Sequence, residues 1–175
     1  IQSTGASVTI TGVDFDNLTI GLDMDGGTLE ASDVRMTQVQ SIGIYLYGDA
    51  DAALSEIIMN NGLIGTSTQN AILAEAAGHV TLQQVAVVNQ QTSAAVIDID
   101  AAYFQIIGLV VLNNISTDAI VRLSAGTEYT DISAQWSYFA SSTIANNKYG
   151  TVGAVVIEST GDVVAHNIDV LYNYS

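Results

Sequence analysis

The sequence predicts an all-β fold, a solenoid of about seven coils with three short strands in each. Three observations predict it. Apolar and polar residues alternate at a period of two, the mark of half-buried strands. The alternating unit recurs roughly every two dozen residues, the mark of a repeat architecture. Amide side chains recur at one place in that unit, where stacked turns can hydrogen-bond to one another.

Each unit holds two alternating stretches joined at a two-residue corner. The first runs Val8, Ile10, corner Thr11-Gly12, Val13, Phe15. The second is Leu29, Ala31, Ser32-Asp33, Val34, Met36, and the third Ala52, Leu54, Ser55-Glu56, Ile57, Met59. The fourth is Val80, Leu82, Gln83-Gln84, Val85, Val87, and the fifth Phe104, Ile106, Ile107-Gly108, Leu109, Val111. A degenerate sixth is Thr127, Tyr129, Thr130-Asp131, Ile132, Ala134, and the seventh Val163, Ala165, His166-Asn167, Ile168, Val170. The anchors Val13, Val34, Ile57, Val85, Leu109, Ile132 and Ile168 are spaced by 21, 23, 28, 24, 23 and 36 residues. A third alternating stretch closes most units, as in Leu22-Met24, Ile44-Leu46, Ile97-Ile99 and Val121-Leu123. No long segment carries the i, i+3, i+4 spacing of a helix.

Coils stacked about 4.8 Å apart would give a rod of roughly 34 Å. Their inward residues form columns, one of which reads Phe15, Met36, Met59, Val87, Val111, Ala134, Val170. Two residues further along stand Asn17, Gln38, Asn61, Asn89 and Asn113, a column that Trp136 and Tyr172 interrupt. This coil length, three-strand unit and set of turn asparagines resemble the right-handed parallel β-helix of the pectate-lyase-like superfamily over about residues 7–174. The resemblance implies a fold that serves lyases, hydrolases, adhesins and inert rods alike. The chain reads as one β-helix domain over 1–175, or a segment of a longer β-helix, with a long loop insert at about 136–153.

Composition narrows the function. Eighteen acidic residues against three basic ones give a formal charge of −15, and 49% of the chain is apolar. Nucleic-acid binding needs a Lys/Arg footprint that is missing. Attraction to anionic lipid fails likewise, and no apolar run approaches the ~18 residues of a membrane span. The chain has no Cys and no Pro, which excludes disulfides and thiolate metal sites. It begins at Ile1 without a signal-peptide pattern, and reads as a mature or excised segment.

Uronate-cleaving members of the resembling superfamily use Arg or Lys as base, often with Ca²⁺. Here the basic residues are Arg35, Arg122 and Lys148. The register places Asp14 beside Arg35 and Asp98 beside Arg122, so two of them read as ladder pairs worth ~0.2–1 kcal/mol each. The Gly-His-Gly and Arg-x-Lys of the galacturonan hydrolases are not matched by Gly78-His79-Val80. His79 and His166 read as turn and corner residues, and no catalytic residue is assigned.

Acidic pairs two residues apart recur at Asp14/Asp16, Asp23/Asp25, Asp49/Asp51 and Asp98/Asp100. They suit a solvated face, a Ca²⁺ site or an acid–base pair. Asp23 and Asp25 form the Ca²⁺ candidate, with Tyr45 and Tyr47 expected one coil on; no other cofactor is implied. The stretch after the sixth unit offers Trp136, Tyr138, Phe139, Lys148 and Tyr149 as ligand-binding candidates, with rings that could stack on sugar faces. Alternatively Trp136 and Phe139 fold back as a plug. Of three Asn-x-Ser/Thr sequons, Asn114 is the glycosylation candidate for a secreted chain.

The expectation is a non-catalytic structural or binding segment of an extracellular or surface protein, a fibre or adhesin building block. The alternative is a polysaccharide lyase or glycoside hydrolase fragment. Flanking coils, another domain or identical subunits are expected at the solenoid ends, and a polysaccharide is the other partner considered.

Overall fold

The structure, a computed structural model, describes residues 1–60, 62, 69–126, 137–160 and 162–175. Its strands are β1 (Gln2–Thr4), β2 (Ser7–Asp16), β3 (Ile20–Asp25), β4 (Thr28–Thr37), β5 (Ile42–Tyr47), β6 (Asp51–Asn60), β7 (Ile72–Gln83) and β8 (Ala86–Val88). They continue with β9 (Gln91–Thr92), β10 (Ile97–Ile107), β11 (Val110–Leu112), β12 (Ile115–Ser116), β13 (Val121–Ala125), β14 (Ser137–Ala145), β15 (Val155–Ile157) and β16 (Val163–Leu171). Among the described residues there is no helix, so none is long and apolar enough to cross a membrane.

Every strand pairing is parallel and joins one coil to the next, giving a β-solenoid of about six turns. Three faces result, each with seven rungs. The first is β1, β3, β5, the start of β7, the start of β10, β13 and β15. The second and third are the two halves of β2, β4 and β6, continued separately by later strands. The second continues through the ends of β7 and β10 to the start of β14 and β16. The third continues through β8 and β11 to the ends of β14 and β16.

One left-handed residue turns the chain from the second face to the third in every rung. These residues are Gly12, Asp33, Glu56, Gln84, Gly108, Ser141 and Asn167, with φ of 65°, 51°, 55°, 55°, 73°, 50° and 53°. A left-handed L-residue costs about 1–2 kcal/mol, so five side-chain-bearing residues at this corner need compensation. Hydrogen bonds between adjacent coils supply part of it, for example Gln84 N to Ile107 O at 2.9 Å and Gly108 N to Ala140 O at 3.2 Å.

The inward column on the third face is Phe15, Met36, Met59, Val87, Val111, Ile144 and Val170. Ile144, not Ala134, fills the sixth place. Correspondingly, the sixth rung is β14, later in the chain than the expected unit at 127–134. Residues 137–145, which fall within the expected insert at 136–153, are ladder strand. Asp98 faces Arg122 24 residues on, while Phe104 bonds Ser137 33 residues on, so the extra length enters between Arg122 and Ser137. Residues 127–136, with Trp136, lie outside the described residues, as does Asn61.

The cause of this slip is chemical. At two inward places of the sixth rung stand Ser137 and Ser142, both buried. Ser137 Oγ accepts from Phe104 N at 3.2 Å; Ser142 Oγ accepts from Leu109 N at 3.1 Å and donates to Ala140 O at 2.8 Å. Inward hydroxyls that are hydrogen-bonded are tolerated in a core, yet they erase the apolar alternation.

A second polar column is buried in the turn after the third face. Gln90 N donates to Asn114 Oδ1 at 2.8 Å, and Asn114 N donates to Asn147 Oδ1 at 2.8 Å. Asn147 N donates to Asn173 Oδ1 at 2.9 Å. The Nδ2 groups of Asn114, Asn147 and Asn173 donate to Val87 O, Val111 O and Ile144 O at 3.0, 3.0 and 2.7 Å. The expected column was displaced by one residue. Asn17, Gln38, Asn89 and Asn113 hold the left-handed backbone position (φ 53–57°), and Asn146 continues them. The residue after each carries the ladder in the later coils.

Candidate functional site

Alternation on the first face sends every second residue outward. One outward column is Gln2, Asp23, Tyr45, Leu73, Asp98, Arg122, Val156. Its neighbour holds Thr4, Asp25, Tyr47 and Glu75, and then, past a register shift in β10, Asp100, Ser124 and Glu158. This face gathers two tyrosines and several carboxylates, and it is the best candidate site.

Tyr45 and Tyr47 stack with ring centroids 4.6 Å apart and planes inclined 27°. The Tyr45 hydroxyl donates to Glu75, one coil on, at 2.5 Å. That hydrogen bond, with burial and the Glu75 charge, pushes the Tyr45 phenol up from 10.0 to about 12. Desolvation, then the charges of Asp23 and Asp25, raise Tyr47 as well. The phenols therefore stay neutral, with one hydroxyl engaged and two rings side by side above a parallel sheet.

Further along, Arg122 Nη2 donates to both oxygens of Asp118 at 2.9 and 3.0 Å. Its Nη1 lies 3.5 Å from Asp98. The expected Asp98–Arg122 ladder pair is present, while the stronger bidentate partner, Asp118, was not foreseen. Asp118 and Arg122 are four apart across the bend that leads into β13. Asp98 is half-buried, and desolvation raises its pKa above 3.8; Arg122 opposes the rise and Asp118 adds to it. Asp14 and Arg35 are ladder neighbours as expected, but they form no ion pair among the described residues.

Asp23 and Asp25, the expected Ca²⁺ pair, sit at the edge of this face. Asp23 accepts from Gln2 Nε2 at 3.1 Å, and the next rung offers Tyr45 and Tyr47. Among the described residues no group of three or more Asp, Glu or His side chains is placed to hold a metal ion.

The expected ligand-binding set is not brought together. Phe139 is buried in the core, with Ile106 and Ala165 in adjacent rungs; alternation turns it inward beside outward Tyr138. Tyr138 lies on the second face, edge-on to His166, and its hydroxyl hydrogen-bonds His166 Nε2. Lys148 is exposed in the turn after the third face, and Tyr149 packs partly buried against the core. Trp136 lies outside the described residues.

Asn114 is 0% exposed, and its Nδ2 donates to Val87 O and Asn147 Oδ1. The amide expected as a glycosylation acceptor is thus a buried member of the turn ladder in the folded chain. His79 is a β7 residue, not a turn residue. Its backbone N donates to Asp51 Oδ1 at 2.7 Å, and its ring meets Tyr103 edge-on at 5.6 Å.

The sequence places Tyr45 and Tyr47 one coil from Asp23 and Asp25, but assigns them no role of their own. The signal that makes them a site was the alternation itself, which puts Tyr45, Tyr47 and Glu75 outward together. No protein-family model, no curated protein and no solved structure matches the chain.

Proposed function

We propose that the chain is a non-catalytic β-solenoid segment of an extracellular or surface protein, a rigid building block of the pectate-lyase-like kind. One observation carries the reading. The coil-over-coil ladder runs through the described chain around a continuous apolar core, while the ionisable groups stay spread over its outside. Such a ladder makes rigidity a sum of neighbour contacts. The last rung leaves Val170 and Leu171 47% and 45% exposed, apolar surface suited to another coil, domain or subunit.

A second reading is a carbohydrate contact or a carbohydrate-active enzyme. Two features of the first face favour it: the stacked Tyr45/Tyr47 platform, and half-buried Asp98 beside Asp100, a pair with the elements of acid–base work. One experiment separates the two. The protein is incubated with neutral and acidic polysaccharides, and reducing ends and the absorbance of unsaturated products are followed. No release, together with small-angle scattering from a stiff particle, is expected. Release that Asp98→Asn abolishes would replace the rod reading with the enzyme.

A further inference from the structure

The outward side of the third face is richer in apolar residues than the outward side of the second. From the first rung to the seventh, one outward column reads Asp14, Arg35, Ile58, Ala86, Val110, Thr143, Asp169. The other reads Asp16, Thr37, Asn60, Val88, Leu112, Ala145, Leu171. No acidic residue stands in either column between the third rung and the sixth, in a chain with 18 of them. Ile58 and Leu171 are 41% and 45% exposed. Charge returns only at the margins. Arg35 and Asp169 are both exposed, and neither forms an ion pair among the described residues.

We infer that this face pairs with the same face of a second copy, the two solenoid axes antiparallel, so that Arg35 of each chain meets Asp169 of the other. In a two-fold interface each contact occurs twice, residue i on j and j on i. A two-fold axis parallel to the strands and midway between the fourth and fifth rungs exchanges rung two with rung seven. It lays Ala86 and Val88 over Val110 and Leu112, and Ile58 over Thr143. It places Arg35 opposite Asp169 at both margins.

Other arrangements do worse. A parallel two-fold packing sets Arg35 on Arg35, Asp169 on Asp169 and Asp14 on Asp14, a like-charge penalty at every margin. Pairing Arg35 with Asp14 of a second copy shifts the axis to the first two rungs and leaves the apolar rungs uncovered. Only the antiparallel register both joins the opposite charges and covers the apolar centre. Asp14 and Asp16 then lie beyond the last rung of the other copy.

The size of the face sets the strength. Three or four residues per strand at about 3.3 Å, over the five spacings of about 4.8 Å between rungs two and seven, give roughly 240–320 Å² on each copy. That falls below the ~800 Å² per partner of a standard stable interface. The dimer is therefore reversible and concentration-dependent. This inference uses the third face alone and does not depend on the function proposed above.

Sedimentation velocity over a wide concentration range tests it, with the chain itself as the only component. Wild type is expected to move from monomer to dimer as concentration rises, with the frictional ratio of two rods side by side. Arg35→Asp and Asp169→Arg should each weaken dimerisation by about tenfold, since each disrupts two symmetric pairs. The combined charge exchange should restore it. Circular dichroism and melting curves establish that each variant is folded.

A covalent test uses the absence of Cys from the chain. The double variant Arg35→Cys/Asp169→Cys should cross-link into dimers on mild oxidation, whereas Arg35→Cys alone should not. A monomer at every concentration would overturn the inference, and so would end-to-end dimers. Cross-linking by Arg35→Cys alone, or association indifferent to both charge reversals, would overturn it equally.

Discussion

The turn that returns the chain from the third face to the first is built one way early and another way late. In the first two rungs the residue after the left-handed position is Leu18 or Val39, and Val39 is buried. In the fourth to seventh rungs it is Gln90, Asn114, Asn147 or Asn173, joined by the hydrogen-bonded ladder described above. Early turns are short and close on the buried Val39, with one exposed amide bond between them, Gln40 Nε2 to Asn17 Oδ1 at 2.8 Å. Late turns are longer, hold an extra two-stranded sheet of β9 and β12, and bury more backbone polar groups. Those groups need partners, because an unpaired buried one costs about 1–3 kcal/mol. The same solenoid is thus held by burial at one place and by directed bonds at another.

The difference can be broken most sharply at Asn114. Asn114→Leu preserves volume but removes the acceptor for Gln90 N and the donor to Val87 O and Asn147 Oδ1. Gln90 N loses its partner, while Val87 O and Asn147 each lose one donor, so a loss of about 2–3 kcal/mol in denaturant unfolding is expected. A cost below about 1 kcal/mol would mean that the late turns are held by apolar contact after all.

The reverse exchange sharpens the comparison. Val39→Asn puts an amide into an early turn that has no ladder to receive it. It gives up buried apolar surface and should cost about 2 kcal/mol in the same measurement. The late turns then demand an amide and the early ones reject it. If Val39→Asn were neutral, the early turns could host a ladder and the division would fail.

Ser142 makes the same point on a strand. Its Oγ serves Leu109 N and Ala140 O. Ser142→Ala removes the acceptor for Leu109 N, while Ala140 O keeps its bond from Gly108 N, and a melting curve should show about 1–2 kcal/mol lost.

These positions also show what the sequence could and could not disclose. Where the interior is apolar, as at Met36, Met59, Val87 and Val111, alternation alone assigned the inward column and its register. Where it is polar, alternation failed. Ser137 and Ser142 hid the sixth rung and let residues 127–134 stand in for it. The doublets Asn89-Gln90, Asn113-Asn114 and Asn146-Asn147 did carry the ladder, but one position beyond the column expected. On the first face, alternation placed Asp98 against Arg122 because ladder pairing is local in register. It did not find Asp118, whose approach depends on the bend before β13. Nor did it anticipate that Tyr45 would reach forward one coil and sideways to Glu75, a choice of rotamer and not of register.

The Tyr45–Glu75 bond permits a spectroscopic check on the candidate face. Phenolate absorbance should show one tyrosine titrating near pH 12, and Glu75→Gln should bring it down toward 10 because the charged acceptor is gone. The raised value also means stability that is fully present below pH 10 and lost as pH climbs to about 12. An unchanged midpoint in Glu75→Gln would place the cause elsewhere.

The smallest expected effect lies at Asp98, where burial and pairing oppose each other. Its folded pKa stands above its ordinary value of 3.8, chiefly through desolvation. Between those two values the folded chain holds more proton than the unfolded one, so this group's contribution to stability falls as pH rises through the window. Above the window the ionised carboxylate carries the full desolvation penalty, offset in part by Arg122. Asp98→Asn removes the charge and leaves Arg122 its two bonds to Asp118. The stability of Asp98→Asn relative to wild type should therefore improve, by under about 1 kcal/mol, as pH is raised from about 4 to 7. A decline over the same range would show that Arg122 outweighs burial at this carboxylate and that Asp98 is an ordinary member of the ion pair.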